Sequence, residues 1–425
     1  NMLNQPGRLN KNTILITPSV RGTMALVNPE YHGITYKMIK SKLDISEEDI
    51  SAINQVMKSD FLTQGPKVEE FEADLASFFE VEHAVVCSSG TAALHLAYAA
   101  MGIGKGSIGI VPAITFSATA NALKYQDAEL ILCDVEPQTG LIDVHSLEKC
   151  LNQLSLGQKE RDNVVAPVSF AGSVAPLDEC RALADEHGFS MIEDAAHSPG
   201  AWKMGSSGKK IKSSSGDWAD ASILSFHPVK HICCGEGGAI LTNCERLSSS
   251  ARKLRSHGIH RPFDFKHPTP WLYEQDELGW NYRLTDLQAA LGISQLSKLD
   301  ESLARRRELA SRYHQIFQEK PFSTYFDLPS MDPGNAWHLF VIRFKESGQR
   351  DQAHKFLKEM DILTQVHYVP LHQHSYFRKQ LGELSLPGAE EFFKGCLSIP
   401  LFPQMSEDEQ DRVTEALSQF LEQGK

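Results

Sequence analysis

The stretch DASILSFHPVKHICCGEGGAILTN, residues 220–243, holds the reading on which the fold turns. Two short apolar runs, ASILSF and GGAILT, flank a segment broken by Pro228 and by the glycines of GEGG (235–238). Both runs lack a polar face, which is how a strand reads when helices cover both of its sides. The same signature recurs upstream in HAVVC (83–87), IGIVPAITF (108–116), AELILCDV (128–135), NVVAPVSFAG (163–172) and FSMIEDAA (189–196). Helical patterns such as TAALHLAYAAMG and SATANALKYQ fall between them. This alternation predicts an α/β domain on a mostly parallel sheet.

The character changes further on. GWNYRLTDLQAALGISQLSKLDESLARRRELASRYHQIF (279–317) reads as one long helical bridge between domains. Beyond it, NAWHLFVIRF (335–344) reads as a strand, DQAHKFLKEM (351–360) as a helix and TQVHYVPLH (364–372) as another strand. Ser406 suits the N-cap of a last helix, and the acidic residues after it suit a helix N-terminus. The predicted organisation is a loosely structured extension (1–33), a large domain (34–290) and a smaller α+β domain (291–425). KMGSSGKKIKSSSGD (203–217) has no apolar periodicity and reads as a mobile surface loop.

A chain of 425 residues is too long for one ordinary core, so two packed units are expected. The formal net charge of −12 argues against nucleic acid as a partner, which needs a basic face. No run approaches the ~20 apolar residues of a membrane span, and the first residues lack the features of a signal peptide. The eight cysteines are scattered without paired CxxC spacing, so no metal site is expected. A reduced, cytoplasmic protein with no membrane partner follows as the expectation.

Three segments can carry chemistry. In CSSGTAALHLA (87–97) a strand runs through Ser-Ser-Gly-Thr straight into a helix. Gly90 lets backbone approach a ligand closely, and the N–H groups of Thr91 and Ala92 would favour an anion such as phosphate. The competing reading is a simple helix cap by Ser89 or Thr91. In IEDAAHS (192–198) an apolar strand ends in Glu193-Asp194, at the sheet edge where ligands bind in parallel sheets. In SFHPVKH (225–231) Lys230 follows a strand and a proline turn; partial desolvation there would lower its pKa and favour Schiff-base chemistry. Phosphate cup, acid and lysine together are what pyridoxal 5′-phosphate (PLP) needs. The letters GKGSIG (104–109) match a dinucleotide fingerprint, but they follow a helix and precede a strand, the reverse of its context.

The order SSGTAAL, PAITFSATANA, EDAAH, SFHPVKHICCGEGGA, GWNYRLTDLQAAL resembles the DegT/DnrJ-type nucleotide-sugar aminotransferases, from about Ile34 to the C-terminus. The front segment DFLTQGPKVEEFE and the late segments HYVPLH and LSIPLFPQMSEDEQ share the resemblance. The TQGPKVEEFE and SFHPVK forms look most like the branch that serves pseudaminic acid synthesis and aminates a UDP-linked 4-keto-6-deoxy sugar. The resemblance implies a fold-type I, aspartate aminotransferase-like large domain with a smaller α+β domain behind it. It implies that Lys230 carries PLP as a Schiff base, that Asp194 keeps the pyridine nitrogen protonated, and that Phe116 covers the cofactor face. Gly90, Thr91, Ala92 and Ser225 would hold the phosphate. Asn281 would reach the phosphate of a neighbouring subunit, making a homodimer with shared sites. Tyr282, Arg283 and His372 would touch substrate.

The resemblance further implies an amino group passing from L-glutamate, through pyridoxamine 5′-phosphate, to the ketone (C4) of a nucleotide-linked sugar for a surface polysaccharide. Two positions depart from the family pattern. His197 stands where Gln is common and could still donate to the ring's 3-oxygen. Cys233-Cys234 stand where two threonines are common. Family members that replace the lysine with histidine are sugar dehydratases, and Lys230 sets this chain apart from them. The alternatives are such a dehydratase or a non-catalytic regulatory protein on the same fold.

Overall fold

The computed structural model describes residues 44–159, 161–205, 208–260, 269 and 271–423. The expected extension at 1–33 lies outside them. Helices α1 (Glu47–Met57) and α2 (Pro66–Phe79) lead into a seven-stranded sheet. Its strands are β1 (His83–Cys87), β2 (Ile108–Pro112), β3 (Glu129–Cys133), β4 (Val164–Val165) and β5 (Ser190–Asp194). A hairpin of β6 (Trp202–Met204) and β7 (Lys210–Lys212) comes next, before β8 (Ala221–Ser225) and β9 (Gly238–Thr242) complete the sheet. The sheet order is β1-β9-β8-β5-β4-β2-β3, and only β9 runs antiparallel to its neighbours.

The apolar runs are continuous because both faces of the sheet are covered. Val86, Ile110, Met191, Leu224 and Leu241 share one core with Phe71 and Leu75 of α2. Their sequence neighbours Val85, Val111, Ile192, Ile223 and Ile240 share the opposite core. That second core includes Leu94, Leu96 and Ala97 of helix α3 (Gly90–Ala100). Alternate residues on a strand point to opposite faces, and each buried Ile, Leu or Val contributes about 1.5–3 kcal/mol. The GKGSIG letters run from the turn after α3 into the start of β2, with Gly106 at φ +88°.

The long helical pattern after residue 279 divides into two helices, Asp286–Leu296 and Leu299–Phe317. Thr285 opens the first with a capping box to Gln288. At the junction the buried Asp49 carboxylate of α1 accepts from Gln295 (2.8 Å) and Lys298 (2.7 Å). A separate apolar core forms around a three-stranded antiparallel sheet, Phe326–Asp327, Phe340–Phe344 and Cys396–Ile399. The expected strand over 364–372 is absent: only Gln365 bridges to Ser398, and the backbone then leaves the sheet, where the Leu371 N–H bonds the Ala113 carbonyl beyond the end of β2. The last helix, Glu407–Gln423, begins as expected with Ser406 and Glu409 in reciprocal capping bonds.

The segment 203–217 is not the featureless loop the sequence suggests. Ile211 on β7 is fully buried, and the serines that follow clamp a carboxylate. Glu193, fully buried on β5, accepts from the hydroxyls of Ser169 and Ser213 (both 2.6 Å), the Ser214 N–H (2.8 Å) and the Ser222 hydroxyl (2.9 Å). Burial raises the Glu193 pKa, and these four donors oppose that shift. Glu193→Ala would remove the acceptor that four buried donors share; the Ser222 and Ser213 hydroxyls keep the Ser215 carbonyl and the Ser198 hydroxyl within reach, and Ser169 and the Ser214 N–H lose their carboxylate. Hydrogen bonds to charged groups contribute about 1.5–3 kcal/mol each, not additively. We therefore expect a loss of about 3 kcal/mol or more, read as a lower denaturant midpoint; a midpoint within error of wild type would contradict the clamp.

Candidate active site

Three strands end at one edge of the sheet. β1 and β8 both run antiparallel to β9, so they are parallel to each other, and β8 is parallel to β5. Gly238, the first residue of β9, pairs with Cys87 on one side and Ser225 on the other. A Cβ at Gly238 would sit 2.5 Å from the Ser89 carbonyl, and one at Gly90 would sit 2.9 Å from the Ser225 Cβ. Both glycines are therefore required by close approach. They draw the SSGT turn, the start of α3 and Ser225 into one cradle.

Within that cradle the helix-cap reading is realised: the Ser89 hydroxyl accepts from the Ala92 N–H at 3.0 Å. The Ala93 N–H bonds the Ser89 carbonyl. The N–H groups of Gly90 and Thr91 remain from the first turn, where a helix has no internal acceptors for them. An anion binding here would share or displace the Ser89–Ala92 bond.

Asp194 closes β5, almost wholly buried. Its Oδ2 accepts from the Thr119 hydroxyl at 2.7 Å and its Oδ1 from the Ala196 N–H at 3.2 Å. Burial raises its pKa; Thr119, Ala196 and the charge of Lys230 pull it back. Lys230 lies in the β8–β9 connection, in a turn closed by its own N–H to the His227 carbonyl (2.8 Å), with Pro228 at the turn's second position. Desolvation lowers the Lys230 ammonium to about 8, against the opposing pull of Asp194. Acid and lysine thus feel each other across the strand ends.

His197 shares this environment. The Ala171 N–H donates to its Nδ1 at 3.3 Å, so the neutral ring carries its proton on Nε2 and donates to the Tyr368 hydroxyl at 3.2 Å. The His338 ring lies 4.2 Å from His197 and 5.3 Å from His231. Burial first, then neighbouring positive charge, holds His197, His231 and His338 well below the usual histidine range. Burial, with the Lys230 charge, holds His367 at about 4. Phe116 is 60% exposed, a large ring left in solvent beside Tyr368 at a centroid distance of 6.0 Å.

The remaining expected residues lie around this group, and Tyr282 meets the cradle through the backbone of Ser88. Asn281 is exposed and bridges Ser256 through backbone. Tyr282 accepts the Ser88 N–H at its carbonyl, bonds His95 through its hydroxyl (3.3 Å) and stacks on Trp280, with Arg283 half-buried beside it. His372 is buried with its Nε2 3.3 Å from Glu390, and among the described residues none of its bonds reaches Asp194, His197 or Lys230. Sequence reasoning missed Thr119, Tyr368 and His338. Tyr368 lay within the quoted HYVPLH, and Thr119 stands four residues after Thr115, astride Phe116. His338 carried no sequence signal.

A profile described as the DegT/DnrJ/EryC1/StrS aminotransferase family matches residues 43–418. The UDP-4-amino-4,6-dideoxy-N-acetyl-beta-L-altrosamine transaminase of Campylobacter jejuni serotype O:2 is 37% identical over 388 residues, 91% of this chain and 98% of that one. Helicobacter pylori PseC, an aminotransferase involved in the biosynthesis of pseudoaminic acid, matches in structure with a TM-score of 0.81 at 28% identity, over 91% of this chain and 100% of its own. Spr1654 from Streptococcus pneumoniae, solved in a PLP-form, gives a TM-score of 0.81 at 25% identity, over 91% and 99%.

The electrostatics of Lys230 can be read directly. Its neutral amine is the reactive form. Reductive methylation of Lys230 in cofactor-stripped protein, followed by mass spectrometry across pH, should reach half its plateau near about pH 8. A midpoint at the ordinary lysine value of about 10.4 would show that burial does not act on it.

Proposed function

The chain belongs to the DegT/DnrJ/EryC1/StrS aminotransferase family, and from that premise we propose that it moves the amino group of L-glutamate to C4 of a UDP-linked keto-deoxy sugar, in aminosugar synthesis for a surface polysaccharide. The cofactor is PLP, cycling with pyridoxamine 5′-phosphate. The observation that carries the reading is the pair at one sheet edge, buried Asp194 held by two donors and half-buried Lys230 with its basicity lowered to about 8. Similarity to UDP-sugar and pseudoaminic acid enzymes supports the substrate class.

The residues present fit the cofactor. The cradle made by Gly90 and Gly238 has no room for a Cβ, and the first-turn N–H groups of Gly90 and Thr91, with the Ser225 hydroxyl beside them, suit a phosphate. When bound, PLP supplies a carbonyl for amino-group exchange and an electron sink. The Asp194 carboxylate would keep the pyridine nitrogen protonated. The His197 Nε2–H, fixed by the Ala171 N–H, would donate to the ring's 3-oxygen in exchange for, or alongside, Tyr368. Phe116 would lie over the ring face. The Lys230 Nζ would anchor the cofactor and then take up and return a proton as general acid/base, for which a basicity near neutral pH is the useful one.

Asn281 is exposed, and we assign it to the phosphate of a partner chain and hence to a homodimer. Tyr282 and Arg283 beside it are the proposed substrate contacts.

The test is spectral and then catalytic. The holoenzyme should be yellow, bleach with L-glutamate and recover with 2-oxoglutarate. Colour that glutamate leaves unmoved would favour a dehydratase or another amino donor. Lys230→Ala should lower turnover of the keto-sugar at least about a hundredfold, the scale of general acid–base catalysis. Wild-type turnover in a clean Lys230→Ala preparation would sink the assignment.

A further inference from the structure

The turn that exposes Phe116 carries two threonines on its buried side. Thr115 is 2% and Thr119 0% exposed, and Thr119 sits in helix α4 (Ala118–Tyr125), which follows β2. Their hydroxyl oxygens lie 2.8 Å apart, and Thr119 Oγ1 lies 2.7 Å from Asp194 Oδ2. The Phe116 carbonyl is a weaker alternative acceptor, 3.3 Å from each hydroxyl.

Counting protons orients this chain. An ionised carboxylate has none, so Thr119 must donate to Oδ2. Its one proton is then spent, so Thr115 must donate to Thr119. With the Ala196 N–H on Oδ1, both carboxylate oxygens face donors, the arrangement that favours the charged form. The titratable groups that act on Asp194 are Lys230, Tyr98 and Tyr368. The Tyr98 hydroxyl is turned instead to the Thr119 carbonyl at 3.3 Å, and that of Tyr368 to His197. Thr119 is therefore the side chain whose hydroxyl is bonded to the carboxylate.

We propose that Thr119, supported by Thr115, is a positioning residue that holds the Asp194 carboxylate ionised and fixed in rotamer toward the pyridine nitrogen of the cofactor. The proposal rests on the role given to Asp194 above. It also ties two functions to one turn: the backbone that presents Phe116 to the cofactor face sets the carboxylate that meets the ring nitrogen. If the relay is removed, the ring nitrogen is less firmly protonated and withdraws fewer electrons. The nitrogen joining Lys230 to the cofactor then keeps its proton to higher pH.

The experiment compares holoenzymes of wild type, Thr119→Val, Thr119→Ser, Thr115→Val and Asp194→Asn. The readouts are the PLP dissociation constant and the pH midpoint of the visible absorbance change. Thr119→Val keeps the shape and removes the donor; it should weaken PLP roughly tenfold or more, the scale of one hydrogen bond to a charged group, and raise the midpoint. Thr119→Ser should restore both, and Thr115→Val should shift both the same way by less. Wild-type values in Thr119→Val, or failure of Thr119→Ser to restore them, would overturn the relay. If Thr119→Val does not fold, Thr115→Val decides, and an unmoved midpoint there overturns it. Asp194→Asn separates the two levels: no effect there sinks the role of Asp194 itself, whereas an effect there with none in Thr119→Val sinks the relay alone.

Discussion

A carboxylate taken out of water must have its solvation replaced by the chain, and this protein meets that demand twice in succession at Glu193 and Asp194. The two are adjacent on β5 and so point to opposite faces of the sheet. An uncompensated buried charge costs several kcal/mol, so each face has to supply donors. Glu193 receives three serine hydroxyls and one N–H, drawn from three separate stretches of the chain. Asp194 receives one hydroxyl and one N–H and keeps the attraction of Lys230. One carboxylate is saturated and structural, and its neighbour is left with bonding capacity for a ligand.

The sheet topology turns this local demand into a site. A purely parallel order would send the chain away through a crossover after β8. Here β9 returns antiparallel at once, so the β8–β9 connection stays at the edge where β1 and β5 also end. Lys230 sits in that connection, and Gly238 brings the SSGT turn against Ser225. Tyr368 arrives from sequence far downstream, along a segment that leaves the three-stranded sheet after a single bridge at Gln365. The site thus draws on both sheets.

Much of this was legible because it is local. HAVVC, ASILS and GAILT read as strands covered on both sides, since each alternate residue meets a different core. Lys230, Asp194 and Gly90 stood out as a set, because a lysine, an acid and a phosphate cup at separate strand ends are together what PLP needs. What stayed hidden was long-range pairing. Ser213 and Ser214 read as loop because their acceptor, Glu193, lies some twenty residues upstream, and Ile211 was one apolar residue among lysines. TQVHYVPLH has the composition of a strand, yet its bonds go to Ser398, His197 and Ala113 rather than to a neighbouring ladder. Thr119 is an ordinary helix residue until Asp194 is folded against it.

The buried histidines set an acid limit on the protein. His95 and His367 are held near about 4 by burial, against 6.5 when unconstrained, and His197, His231 and His338 lie well below that value. All five are neutral when folded and would take up protons on unfolding below about 6.5. A depressed histidine contributes stability that is complete above the unfolded value and drains away as pH falls toward the folded one. Between roughly pH 6.5 and 4 the unfolded chain therefore gains on the folded one at each of these rings together. Four of the five, His197, His231, His338 and His367, feel the charge of Lys230, so mild acid strains the surroundings of the lysine along with the fold. The neutral surroundings that suit a reactive amine are in this way also a condition for the chain to stay folded.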